Sequence, residues 1–229
     1  LKTSKGDYSE AEKLLTQALK IHKATVGEFH SSYANTLNSL AGLYSSIGNY
    51  QLAGETYEQC RLIYEKIYGD MHPEYATFLC NEGLFYYESG NYDKAETILK
   101  RALNIEYNAF GKDHSDNVYV LSNLANTMLS KGNNQLAEEY LLEAVRITKE
   151  KLGIEHPNYA AALLSLGVFY YETGNYDKCE KNYLEVLGKY KKIYGEKNSN
   201  YATVLNDIGT LYLAKAIGTE NVADANQWT

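Results

Sequence analysis

Four histidines, His30, His72, His114 and His156, recur at intervals of 42 residues. Imidazoles can hold a metal, move a proton or cap a helix, and spacing decides among these roles. A metal needs its ligands within a few ångströms, whereas equivalent residues of a repeated unit are separated by the whole unit. Capping is therefore the expected role. The segment Asp113-His114-Ser115-Asp116 gathers carboxylates, imidazole and hydroxyl, but it lacks the spacing and central glycine of a calcium loop. Cys60, Cys80 and Cys179 are odd in number, far apart and form no C-x-x-C pair, so neither a disulfide framework nor structural zinc is expected. No H-E-x-x-H, G-x-S-x-G, phosphate-loop or dinucleotide pattern occurs. The residues predict a protein that is not an enzyme and holds neither cofactor nor metal.

The elements behind these residues are set out by glycine. Gly6, Gly48, Gly90, Gly132 and Gly174 keep one 42-residue period, and Gly27, Gly69, Gly111, Gly153 and Gly195 keep the same period offset by 21. Periods of this size mark repeat architectures. Within 31–69, Ala34, Leu37, Leu40, Ala41 and Tyr44 form an apolar stripe of helical spacing. Gly48-Asn49-Tyr50 interrupts it as a turn, and Ala53, Tyr57, Cys60, Ile63 and Ile67 form a second stripe closed by Gly69. Pro73 suits the first turn of the next helix. Each unit thus reads as helix A, tight turn, helix B and short loop. Copies keep Leu37 as Leu79, Leu121, Leu163 and Leu205, and Ala41 as Gly83, Ala125, Gly167 and Gly209, small as expected where helix backbones approach.

The spacing L-x-x-L-[AG]-x-x-Y-x-x-x-G-x-Y-x-x-A, with segments such as LNSLAGLYSSIGNYQLAGETYEQC, resembles the tetratricopeptide repeat, in its elongated, kinesin-light-chain-like subclass. The resemblance implies an all-α, right-handed superhelical solenoid of antiparallel helix pairs, about ten helices in one domain. It divides 1–229 into a helix B at 6–27, full repeats at 31–69, 73–111, 115–153 and 157–195, and a partial repeat at 199–228. In the last, Gly218 comes two residues late, so 218–228 reads as a stub of helix B, with Trp228 outside the pattern. The third unit has Met128, Thr127 and Asn134 where other copies carry larger apolar or aromatic residues, which predicts that 115–150 is the softest region.

Composition narrows the partner. The net charge is −7 and arginine occurs only at Arg61, Arg101 and Arg146, which argues against nucleic acid. No apolar stretch approaches the roughly 18 residues of a membrane span. The chain begins at Leu1 without a signal-like segment and reads as a piece of a longer, cytoplasmic protein.

In the resembled family, five positions of helix A line a concave groove. Here they carry Asn35, Asn38, Ser39, Gly42 and Ser45; Thr77, Cys80, Asn81, Leu84 and Tyr87; Tyr119, Ser122, Asn123, Asn126 and Leu129; Ala161, Leu164, Ser165, Val168 and Tyr171; and Thr203, Asn206, Asp207, Thr210 and Leu213. Lysine and arginine are absent, so a clamp for a C-terminal carboxylate is not expected. In light-chain-like relatives paired asparagines bond to the backbone of an extended peptide. The resemblance carries that role to Asn38, Asn81, Asn123, Asn126 and Asn206, with Tyr87, Tyr119 and Tyr171 as aromatic anchors. The expected function is a scaffold binding a protein or peptide in this groove. Two alternatives stand beside it. One is a regulatory module of a larger effector, such as a caspase-like protease or nucleotide-binding protein, with an intramolecular partner C-terminal to these residues. The other is an architectural spacer or oligomerisation arm.

Overall fold

A computed structural model describes the backbone of residues 2–226 and the side-chain surroundings of residues 7–217. Ten helices follow one another among the described residues: α1 (Lys2–Thr25), α2 (Ser31–Ser46), α3 (Tyr50–Tyr68), α4 (Pro73–Glu88), α5 (Tyr92–Phe110), α6 (Asn117–Ser130), α7 (Asn134–Lys151), α8 (Pro157–Glu172), α9 (Tyr176–Tyr194) and α10 (Ser199–Asn226). No strand occurs among them, and the all-α repeat class read from the sequence holds. Two compact units divide the chain, Leu1–Lys112 with α1 to α5 and Asp113–Thr229 with α6 to α10.

The Gly-Asn turn ends one helix and starts the next. Gly48 takes φ +76°, a conformation that costs glycine little. There its N–H reaches Ser45 O at 2.9 Å and the Asn49 N–H reaches Tyr44 O at 2.9 Å, which satisfies the last carbonyls of α2. The Asn49 side chain then accepts from Leu52 N at the start of α3. Asn91 and Asn133 repeat that cap, while Asn175 keeps the position without a side-chain cap bond. Three of the four repeating histidines cap A helices, while His114 accepts from Asp116 N at 3.4 Å ahead of a helix that starts only at Asn117. His30, His72 and His156 accept through Nδ1 from the N–H groups of Ser32, Glu74 and Asn158 at 3.1 to 3.2 Å.

The small residue of helix A makes room for a side chain, not for a backbone. A Cβ added at Gly83 would sit 2.6 Å from Leu99 Cγ, and one at Gly167 would sit 2.6 Å from a Tyr183 ring carbon. Both obstacles belong to the B helix of the same pair, so the expected close approach of backbones gives way to interdigitation. Neighbouring pairs are also tied by a repeating phenol–carboxylate bond. Tyr44 donates to Glu12 at 3.0 Å, Tyr170 to Glu138 at 2.6 Å and Tyr212 to Glu180 at 2.7 Å.

Both outer elements depart from the sequence pattern. Helix α1 runs through Gly6, so this glycine does not mark a turn. Helix α10 continues unbroken through Gly218 to Asn226, so no turn separates a helix B stub at 218–228; a continuing helix satisfies its own backbone groups. Trp228 lies outside the described residues. Leu205, buried in its sister positions, is 47% exposed on α10. In the third unit α6 starts at Asn117, two residues later than expected, and Asp116 gives it no side-chain cap bond. Thr127 is fully buried and returns its hydroxyl to Asn123 O at 2.8 Å.

Candidate partner-binding groove

In the first unit α2 packs on α3 and α4, which sets the A helices side by side. Their shared face holds a concavity of about 300 Å³ lined by Asn38, Ser39, Gly42, Ser45, Ser46, Tyr57, Asn81, Leu84, Phe85 and Glu88. Six of these ten were picked out as groove positions from the sequence. The others follow from geometry. Asn38, Gly42 and Ser46 stand at i, i+4 and i+8 on one row of α2, and Leu84 and Glu88 continue the matching row of α4, one step beyond the position expected to end the face. Tyr57 and Phe85 stack at 5.0 Å between ring centroids and close the bottom.

The polar groups of this concavity are unevenly satisfied. Ser45 donates to Glu88 Oε2 at 2.9 Å across the two A helices. Asn38 Oδ1 is buried and accepts nothing. Asn81 lies half-buried on the neighbouring helix. Glu88 is the charged residue among the lining groups, so the chemistry offered is amide, hydroxyl and carboxylate over an aromatic base. Cys80 is not part of it. The side chain is buried and its thiol is pushed up to about 12 by burial, with Glu106 adding to the effect.

Tyr87 is half-buried against Tyr92, ring centroids 5.7 Å apart, so part of its surface is already committed to the turn that follows it. In the second unit Tyr171 meets Tyr176 in the same way at 6.0 Å. The equivalent faces there come from α6 and α8, which pack on one another, and from α10. Tyr119 stands 52% exposed, Asn126 and Asn206 are exposed, and Asn123 is half-buried with its Nδ2 donating to nothing. Asp207 faces the same side, and burial raises its carboxyl. Each unit therefore brings its own subset of the expected residues together: Asn38 and Asn81 with Tyr87 nearby in the first, and Tyr119, Asn123, Asn126, Tyr171 and Asn206 on the A-type helices of the second.

Among the described residues no group of three or more His, Cys, Asp or Glu side chains is arranged to hold a metal, and no helix is long and apolar enough to cross a membrane.

The sequence matches the family model described as a tetratricopeptide repeat over residues 1–60, 32–108, 74–150, 116–174 and 159–216. No curated protein matches the chain by sequence. Among solved structures, it is similar to BtubC (BKLC) from P. vanneervenii, with 17% identity, a TM-score of 0.74, and coverage of 91% of this chain and 83% of that one. The kinesin-light-chain-type, nearly identical TPR-like repeats of Podosopora anserina, in their Q17M form, give 25% identity and a TM-score of 0.71, covering 82% of this chain and 89% of that chain. A signal transduction ATPase with numerous domains from Pyrococcus horikoshii, which carries a tetratricopeptide repeat sensor, gives 21% identity and a TM-score of 0.69. That match covers 89% of this chain and 30% of the other.

Proposed function

Because the chain belongs to the tetratricopeptide repeat family, we propose that it is an interaction scaffold which holds an extended peptide or partner segment against the inner face of its A helices. Repeat arrays of this kind generally present such faces to proteins and carry no catalysis of their own. The observation that carries the reading is the concavity of the first unit, with the unsatisfied Asn38 Oδ1, the neighbouring Asn81 and a stacked aromatic base. A side-chain amide both donates and accepts, which matches the alternating groups of a peptide backbone. Buried polar atoms are ordinarily hydrogen-bonded, so an orphan acceptor beside a cavity favours a ligand that supplies a donor.

Charge sharpens the partner. Glu88 lies in the groove and no lysine or arginine does, so a bare carboxylate would meet repulsion where it needs a charge-assisted bond. The partner is accordingly an internal or basic segment, not a C-terminal carboxylate, and neither nucleic acid nor a membrane. The proposed compartment is the cytoplasm. A peptide-display selection on the wild-type chain, counter-screened on N38A/N81A/Y87A, tests the reading. Enriched peptides should bind the triple variant at least about ten-fold more weakly, a change of about 1.4 kcal/mol. Peptides that bind both proteins equally would remove the groove from the proposal.

The likeness to a protein whose repeats are named a sensor supports a second reading, in which the array regulates an attached effector. In that case the groove's occupant would be a segment of the same polypeptide.

A further inference from the structure

A second cavity in the first unit, of about 460 Å³, lies between α3, α4 and α5 and shares no lining residue with the groove. Its lining includes Glu58, Arg61, Leu79, Glu82, Tyr86 and Ile98, together with Lys94 and Arg101. Two of these residues break the repeat. Glu82 stands where the other copies carry Leu40, Leu124, Leu166 and Ile208, and Arg61 stands where they carry Leu19, Leu103, Val145 and Leu187. The scaffold does not need a charge at either position. A third departure accompanies them. Gly54 takes the place of Glu12, Glu138 and Glu180, which bind a tyrosine of the next pair, so Tyr86 has no carboxylate partner from that position.

The pair is incomplete. Glu82 is 1% exposed, its Oε1 lies 3.6 Å from Arg61 Nε, and its buried Oε2 accepts no hydrogen bond. The cations around it are already engaged. Arg61 Nη2 is bonded to Glu58, Arg101 Nη1 reaches Glu65 at 3.3 Å, and Lys94 Nζ lies 5.0 Å above the Tyr86 ring. The lining sets Glu58, Glu82 and Asp93 against Arg61, Lys94 and Arg101, and what it lacks is one donor at Glu82 Oε2, which none of these cations supplies. Leu79, Tyr86 and Ile98 meanwhile offer apolar surface beside the carboxylate.

We propose that this cavity binds an organic cation, an ammonium or guanidinium group on a short aliphatic stem, with the charge paired to Glu82 and the stem laid along Leu79, Tyr86 and Ile98. The volume falls within the roughly 300–1,000 Å³ of small-ligand sites. The bearer is either a free amine or a lysine or arginine side chain of a partner.

Methyl spectra of the full chain at pH 8, titrated with n-butylammonium chloride, test the assignment. The controls are n-butanol, which has the stem without the charge, and the R61L/E82L double variant, which restores the residue type of the other copies. Saturable shifts at the Leu79 and Ile98 methyls, with Kd of order 1 mM, are expected for butylammonium. Butanol on the wild type, and butylammonium on the double variant, should bind at least about ten-fold more weakly. E82Q, which keeps the shape of the side chain, should behave like the double variant. A blocked Ala-Lys-Ala peptide separates the sources: binding as tight as the free amine assigns the cation to a protein side chain, and binding of the amine alone assigns it to a small molecule. No saturable shift, equal response to butanol, or undiminished binding by the double variant would overturn the proposal.

Discussion

Lys189 and Glu82 both stand where the other copies of the repeat carry aliphatic side chains, and the fold treats them differently. Lys189 replaces Ile21, Ile63, Ile105 and Ile147, and only 9% of its surface is exposed. Its ammonium donates to Ile154 O at 2.7 Å, lies 3.7 Å from Glu185 and sits 4.9 Å above the Tyr159 ring. The four-carbon stem fills the apolar seam while the charge reaches polar atoms at its edge. Glu82 has no such reach. Its carboxylate stays inside, one oxygen faces a guanidinium at ion-pair distance, and the other faces nothing. A charge is absorbed by this seam when its stem is long enough to leave it, and otherwise remains as an unfinished site.

The contrast breaks most readily at Arg61. Removing one partner of a buried pair leaves an uncompensated charge, which costs about 3–5 kcal/mol, whereas replacing both by aliphatic residues is neutral or stabilising by about 1–4 kcal/mol. Urea unfolding should therefore show R61L well below wild type and R61L/E82L at or above it. A single variant no less stable than the double would mean that Glu82 is solvated, or that it neutralises by taking up a proton once Arg61 is lost.

The pH dependence of stability gives the next largest effect. Burial raises the Glu82 carboxyl from 4.5 to about 7, against the pull of Arg61 and Arg101 and with Glu58 and Glu65 adding to the rise. A folded-state value above the unfolded one means that the native protein binds the extra proton. The stabilisation is then complete below about pH 4.5 and is lost as pH rises through about 7, a change of about 3 kcal/mol. Subtracting the curve of R61L/E82L from that of wild type isolates this slope. A flat difference between pH 4.5 and 7 would show that Glu82 keeps an ordinary carboxyl in the fold.

On the other side of the comparison, Lys189 is predicted to be nearly interchangeable with the residue its copies use. K189I exchanges a part-buried bond to the Ile154 carbonyl and the contacts with Glu185 and Tyr159 for apolar packing and should lie within about 1 kcal/mol of wild type, while K189A loses both these contacts and the stem and should cost about 2 kcal/mol. If K189I proved as damaging as R61L, stem length would not be what separates the two sites.

Much of this was legible in the residues. The two glycine series place the turns because only glycine takes φ of +75° to +89° without strain at these joints, and nine of the ten glycines do so. Gly6 and Gly218 mark no turn, and both lie within continuous helices. His30, His72 and His156 act as the caps their spacing predicts, because one residue per unit before an apolar stripe leaves few other uses, whereas His114 does not, since α6 starts two residues late. Glu82 and Arg61 are hidden for a different reason: the repeat is defined by what its copies keep, and a charge at a core position is visible only as an exception within its own column. Glu88 was missed because the family's groove positions stop one step short of its row on α4. The orphan state of Asn38 Oδ1 was beyond reach, since it depends on where side chains of two helices come to rest.

Asn38 gives the smallest effect on stability and the clearest separation of folding from binding. Its Oδ1 is buried beside the groove and accepts no bond, so N38A removes no acceptor that the fold relies on. The change leaves little cavity beyond one already open to solvent, and stability should stay within about 0.5 kcal/mol of wild type. Peptide binding in the groove should nonetheless weaken, because the lost amide is one the ligand would have completed. Asn38 Oδ1 and Glu82 Oε2 then differ in a measurable way. Truncating Glu82 to alanine, which leaves Arg61 with Glu58 alone, should alter folding and cation binding together, whereas truncating Asn38 should alter binding alone. A loss of more than 1 kcal/mol in N38A would show that the Asn38 amide supports the α2–α4 contact itself, and the concavity would then be part of the packing and not a site.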